Sequence, residues 1–161
     1  MTRTRLSALG AVVLTLAGVL TWALWPGEEP RSRQYREAVA CLLTDDQGLR
    51  GAQAAEVWSG MQDASLETLA RVQYLTVDGA QTVENARGLL NSQIQSRCSM
   101  VLAVGEAPGA AVREAAPVHP GVMFVLFGDM INGAPKNLSV MKSSRGDVHD
   151  VLVDEMGSDL R

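Results

Sequence analysis

Basic residues are scarce. The chain of 161 residues carries 14 Lys and Arg against 18 Asp and Glu, a net charge of -4, and a pI of about 5.1. That balance disfavours a nucleic-acid surface, which needs a basic patch. Aromatic residues make up only 4% of the chain, so a core must be built from Val, Leu, Ala and Met, as suits a parallel sheet covered by helices. The two histidines, His119 and His149, stand at no metal-ligand spacing from each other or from a cysteine, which argues against zinc. No G-x-G-x-x-G follows the first strand-like run and there is no G-x-x-x-x-G-K-[ST], so dinucleotide and nucleotide-phosphate binding are unsupported. No G-x-S-x-G elbow presents a serine at a strand end. No reaction, cofactor or metal is expected on these grounds. Internal repeats and low-complexity segments are missing too, and the length permits one domain of ordinary size.

Charge is missing altogether from Leu6 to Trp25, "LSALGAVVLTLAGVLTWALW". As a helix rising about 1.5 Å per residue, this run spans the roughly 30 Å hydrocarbon core of a bilayer. Arg3 and Arg5 precede it, and Arg31, Arg33 and Arg36 follow. The expectation is a cytoplasmic amino terminus at 1–5, a single-pass signal anchor at 6–25, a tether at 26–37 and an extracytoplasmic domain at 38–161. Trp22 and Trp25 fall where the outer interface would be. A cleaved signal peptide is the competing reading, but the apolar run exceeds the usual 7–15 residues of such a peptide and no small-x-small site follows it. No cysteine stands just after the run, so lipid attachment there is not expected. The tether, "PGEEPRSRQYRE", has almost nothing to bury.

Beyond the tether, short apolar runs alternate with amphipathic stretches. Ala38–Thr44, Met100–Gly105 and Val122–Gly128 are continuously apolar, as strands covered on both faces must be. Arg71–Val77 and Asn137–Met141 mix polar and apolar residues, as edge strands do. The pattern predicts a single Rossmann-like, flavodoxin-like three-layer α/β domain with a parallel five-stranded sheet in the order 2-1-3-4-5. Ala54, Val57, Trp58, Met61 and Ala64 share one face of a first helix, and Val83, Ala86, Leu90 and Ile94 one face of a second. Pro108 sits near the first turn of a third, where its missing N–H costs nothing. Ser144, three residues before Asp147, forms a capping-box variant at the start of the last helix, with Val148, Val151 and Leu152 on its buried side. The "RGD" at Arg145–Asp147 belongs to that capping turn.

The segments "ACLLTDDQG", "VWSGMQDA", "SMVLAVG", "AAPVHPGVMFVLFGD" and "NLSVM" together resemble the amino-terminal lobe of the basic membrane protein family. These are substrate-binding proteins of ABC transporters that carry purine nucleosides or related solutes. The resemblance covers about 100 residues. It implies that Thr44 and Asp45 match the Thr-Asp ending the family's first strand, where the Asp contacts a ribose. Trp58 and Gly60 match its Trp-x-Gly. Gln53 and Ala54 stand where the family has the Phe that stacks on the base and the Asn after it. The family's second lobe and its lipoprotein cysteine have no counterpart in this sequence.

Read from the residues alone, the same end of the sheet is the place to look, because open α/β sheets bind ligands outside the carboxyl ends of their strands where the strand order reverses. The residues delivered there are Thr44, Asp45, Asp46, Gly48, Gly105, Glu106, Gly128 and Asp129. Acids on one crest repel anions and favour hydroxyl-rich neutral ligands, cations or a basic partner. Alternatively they solvate helix amino termini, interacting with the macrodipole. The expected function is a membrane-anchored solute-binding or sensing lobe, with a small neutral solute such as a nucleoside weakly bound. The alternative is a non-catalytic scaffold that keeps a membrane protein partner or forms a homodimer. A third reading is a receiver-like domain with Asp45 and Asp46 on Mg²⁺ and Lys142 nearby.

An exterior location permits a disulfide between Cys41 and Cys98. Register speaks against it. Counted from the strand ends, Cys98 sits about three residues lower than Cys41, a gap of about 10 Å where about 6 Å is wanted. The pairing stays open at this point.

Overall fold

The computed structural model of the chain describes residues 37–128 and 133–157. The expected anchor at 6–25, the tether up to residue 36, and Asp129 lie outside those residues. Among the described residues no helix is long and apolar enough to cross a membrane.

Five strands form one parallel sheet: β1 (Val39–Thr44), β2 (Arg71–Thr76), β3 (Met100–Val104), β4 (Met123–Phe127) and β5 (Leu138–Met141). Their order is β2-β1-β3-β4-β5, the 2-1-3-4-5 arrangement read from the sequence. The burial pattern follows the reason for that reading. Every residue of β1 and β3 is buried, whereas every residue of β2 is exposed or half-buried, as in a strand at the edge of the sheet.

Four helices cover the two faces: α1 (Ala52–Thr68), α2 (Val83–Gln95), α3 (Glu106–Ala115) and α4 (Arg145–Gly157). Because side chains alternate along a strand, Ala40 and Leu42 of β1 enter one core with Val57 and Met61 of α1 and Val148 and Leu152 of α4. Cys41 and Leu43 enter the other, with Ala86 and Leu90 of α2 and Ala111 and Val112 of α3. The scarcity of aromatics shows in that second core, where Phe124 is its one aromatic member and alanines let the helices lie close to the sheet. The α2 start is capped by Thr82, whose hydroxyl accepts from the Asn85 N–H at 3.3 Å. Pro108 occupies the first turn of α3. Ser144 accepts from the Asp147 N–H at 3.2 Å, so Arg145, Gly146 and Asp147 are the first turn of α4 itself.

The cysteines are joined. Cys41 and Cys98 form a disulfide with a Cα–Cα separation of 5.9 Å, which corrects the register objection. That objection placed Cys98 on a straight extension of β3. The chain instead leaves α2 through Arg97 at φ 62°, and the Cys98 N–H still bonds to the Gln93 carbonyl of that helix at 3.2 Å. Cys98 therefore lies in the layer above the sheet face that Cys41 points into, and the bridge crosses layers instead of running along the strands. The side-chain amide of Gln73 donates to both sulfurs, at 3.2 and 3.4 Å.

Candidate functional site

Parallel strands deliver all their carboxyl ends to one rim, and three of them build the candidate site. A depression of about 340 Å³ is lined by Asp45 and Asp46 after β1, Gln81 and Val83 after β2, and Glu106, Ala107 and Ala110 at the start of α3. It lies at the β1/β3 boundary where the strand order reverses, as open α/β sheets favour. Asp45 is held in place twice. Its N–H donates to the Val104 carbonyl at 3.2 Å, and its carboxylate accepts from the Gln47 N–H at 3.1 Å. Gly105 makes room for it: at φ +109° a β-carbon there would lie 2.9 Å from the Asp45 β-carbon. Only glycine adopts that conformation and concedes that space.

The expected residues divide by environment. Asp45, Asp46, Glu106 and the backbone of Gly105 meet at the rim. Thr44 is fully buried, and its hydroxyl is engaged across the β1–β2 boundary, donating to the Leu75 carbonyl at 3.3 Å and lying 3.2 Å from the Thr76 hydroxyl. Gly48, at φ +56°, turns the chain over Thr76, whose hydroxyl would stand 3.1 Å from an added β-carbon. These two residues shape the first turn from below. Gly128 closes β4 with open space around it. Glu106 is the first residue of α3, where an acid complements the helix dipole. Asp45 and Asp46 instead precede the short 3-10 turn Gly48–Arg50, and α1 begins only at Ala52.

Gln81 and Val83 were not among the sequence candidates. Their strand is at the sheet edge and its loop "VDGAQT" resembles any polar turn. The available signal was topological: β2 ends level with β1, Thr44 pairing with Thr76, so the loop after it must share the rim. Gln81 is anchored by its amide nitrogen, which donates to the Val77 and Gly79 carbonyls at 2.6 and 3.2 Å. Gln53 and Ala54 also have other duties. Ala54 is buried in the α1 core, and the Gln53 amide donates to the Ser143 hydroxyl at 3.3 Å. Trp58 meets Tyr74 edge to face with ring centroids 5.2 Å apart, and it is not among the residues that line the depression. Among the described residues no group of three or more His, Cys, Asp or Glu is placed to hold a metal ion.

Chemically the rim is an open bowl of carboxylate acceptors and one carboxamide, with an apolar floor of Val83, Ala107 and Ala110. Such a surface accepts hydrogen bonds from a hydroxyl-bearing or amine-bearing ligand.

No known protein family matches the chain, and no curated protein does. Solved structures do. One is described as a "putative lipoprotein" fragment from Peptoclostridium difficile 630, with TM-score 0.61 and 12% identity over 78% of this chain and 100% of that one. Another is an ABC transporter solute-binding protein from Aeropyrum pernix K1, with TM-score 0.51 and 19% identity over 63% of this chain. A third is a transcriptional activator of the comK gene from Bacillus halodurans, with TM-score 0.51 and 16% identity. This chain spans only 28% and 34% of the latter two. At these identities the likeness is one of fold.

Proposed function

We propose that the chain is a membrane-anchored, extracytoplasmic solute-binding or sensing lobe related to the substrate-binding proteins of ABC transporters. The observation that carries this reading is the 340 Å³ depression at the strand-order reversal, walled by Asp45, Asp46 and Glu106. Its acceptors suit a neutral solute rich in hydroxyls. The fold it shares with a solute-binding protein supports the same class. The Cys41–Cys98 disulfide suits an oxidising compartment, as does the uncharged run at 6–25 with arginines on both sides. The finer kinship with the basic membrane protein family rests on the sequence resemblance, and it makes a purine nucleoside the first solute to test.

One lobe offers one wall. Tight small-molecule sites bury most of their ligand, and this bowl is open on its outer side. The stacking aromatic is replaced by Gln53, which costs roughly 1–3 kcal/mol per base. From a micromolar site, such losses move the dissociation constant beyond about 100 μM. The test is an NMR titration of the detergent-solubilised full chain with adenosine, guanosine and inosine. Shifts confined to Gly48, Gln81, Gly105 and their neighbours, abolished by Asp45→Ala, are expected. Absence of shifts at about 10 mM nucleoside, two decades above that constant, would count against a nucleoside ligand and favour the interaction scaffold. A constant below about 10 μM would show that one wall suffices.

A further inference from the structure

A buried disulfide is ordinarily inert, because no thiol reaches its sulfurs until the fold opens. Cys41 and Cys98 are 0% and 2% exposed, yet their bridge lies only one strand in from an open edge of the sheet. Cys41 pairs with Gln73 of the edge strand β2 on one side and with Val101 of β3 on the other. Residues paired across neighbouring strands point to the same face, so the Gln73 side chain lies on the outer flank of the bridge. Its amide nitrogen stands 3.2 Å from the Cys41 sulfur and 3.4 Å from the Cys98 sulfur. Gln73 itself is exposed. One residue therefore separates both sulfurs from water on that side.

That cover is lightly held. Among the described residues the Gln73 amide donates to the two sulfurs and to nothing else, and a disulfide or thioether-like sulfur is a weak acceptor. No strand lies beyond β2 to fix the side chain from outside. Swinging it into water gives up two weak contacts and leaves the backbone ladder between β1 and β2 untouched.

The cysteines are also held close by bonds that do not depend on the bridge. The Ser99 N–H and hydroxyl both donate to the Val39 carbonyl, at 2.9 and 3.1 Å, and the Cys98 N–H donates to the Gln93 carbonyl at 3.2 Å. Opening the S–S bond leaves Cys98 seated between these two ties.

We infer that the Cys41–Cys98 bridge is a reversible redox site, reached by a dithiol from the β2 edge when the Gln73 side chain swings aside. A thiolate of the dithiol attacks one sulfur, the S–S bond breaks and the other sulfur leaves as a thiolate. The second thiol of the reagent then displaces the first cysteine and closes the reagent's own disulfide. Two electrons and two protons pass from the dithiol to the cysteines. The site is separate from the rim depression, whose lining includes neither cysteine nor Gln73.

The test applies dithiothreitol to the full chain in detergent, with free thiols trapped by N-ethylmaleimide and counted by intact mass. The wild-type reduction rate should be flat in low urea, the mark of a local opening that exposes little surface. Gln73→Ala should raise that rate at least about fivefold, the factor set by one net hydrogen bond. Tyr74→Ala, which truncates the next side chain on the opposite face of the same strand, should not. The reduced chain should keep the dispersed amide NMR spectrum of a folded domain, and oxidised dithiothreitol should re-form the bridge. A wild-type rate that climbs with urea along the slope of global unfolding overturns the proposal, since only unfolding would then expose the sulfurs. Gln73→Ala reduced no faster than Tyr74→Ala overturns it too, as does a reduced chain that loses its folded spectrum.

Discussion

On one face of the sheet α1 and α4 approach so closely that a β-carbon on Gly60 would lie 2.5 Å from the Arg145 carbonyl oxygen and 2.9 Å from the Val148 β-carbon. Two ionic rungs cross the same helix pair. Arg145 reaches both carboxylate oxygens of Asp63, at 2.5 and 2.8 Å, and His149 stands 3.0 Å from Glu67 and 3.0 Å from Asp150. On the other face α2 and α3 share one exposed ion pair, Arg87–Glu114, but the segment after α2 is tied to β1 by the Cys41–Cys98 bridge. One layer depends on close approach and charge, and the other has a covalent tie. The first should respond to side-chain size and pH, the second to the redox state of two sulfurs.

The largest effect is expected from breaking that covalent tie. The bridge spans a sequence separation of 57, and closing such a loop is worth about 4 kcal/mol in the chain-entropy model. Cys41→Ala with Cys98→Ala should lower the denaturant midpoint by an amount equal to about 2–4 kcal/mol. Labelling of the unreduced, denatured wild type should find no reactive thiol; two reactive thiols would show that the faces do not differ in this way.

Gly60→Ala comes next. Alanine favours a helix interior by up to about 1 kcal/mol over glycine, but here its methyl must push α4 away. A net loss of roughly 1–3 kcal/mol is expected by chemical denaturation. Alanine at Gly88 of α2, where nothing lies within 4 Å, should stabilise instead. Equal effects at the two glycines would erase the contrast between the faces.

The smallest effect is the pH response of the charged face. Both ring nitrogens of His149 meet carboxylates, and a neutral imidazole has only one N–H to donate, so the geometry calls for the cation. Its pKa is raised above the ordinary histidine value, first by the hydrogen bond to Asp150 and next by that to Glu67, with burial opposing. A raised folded-state pKa adds stability that is fully present below the unfolded value, near pH 6.5, and is lost as pH rises through the folded one. The Asp63 carboxylate is held below its ordinary range, first by the Arg145 hydrogen bond. Its contribution is therefore present above the ordinary aspartate value and fades as pH falls through the folded pKa. Chemical-shift titration of the His149 ring should give a midpoint above that of free histidine, moved down by Asp150→Asn and less by Glu67→Gln. A midpoint at the free value would remove the pH distinction between the faces.

Pattern alone located β1, β3 and β4 to within two residues, because a strand covered on both faces must be apolar throughout. It also identified both edge strands and the helix faces, where Val57, Met61, Ala86 and Leu90 recur at helical spacing and are all buried. Half the rim followed, since Asp45, Asp46 and Glu106 come directly after those strands. Gln81 and Val83 were not legible, because the polar loop that carries them is ordinary until its strand is placed beside β1. Thr44 was legible as a strand end but not as a buried hydroxyl, since period-two alternation assigns a face without saying whether that face is covered.

What the sequence determined by itself is whatever follows from local periodicity and composition: the alternation of elements, their order in a parallel sheet, and the end of the sheet where polar residues collect. The tertiary structure alone decided what depends on distance between segments remote in sequence. Cys98 meets Cys41 because the chain stays in the helical layer until Ser99. Gly60 matters because the Arg145 carbonyl, far along the chain, arrives against it. Asp45 fits because Gly105 has no side chain. Such contacts are set by the packing of layers in three dimensions, and a one-dimensional pattern carries no measure of that separation.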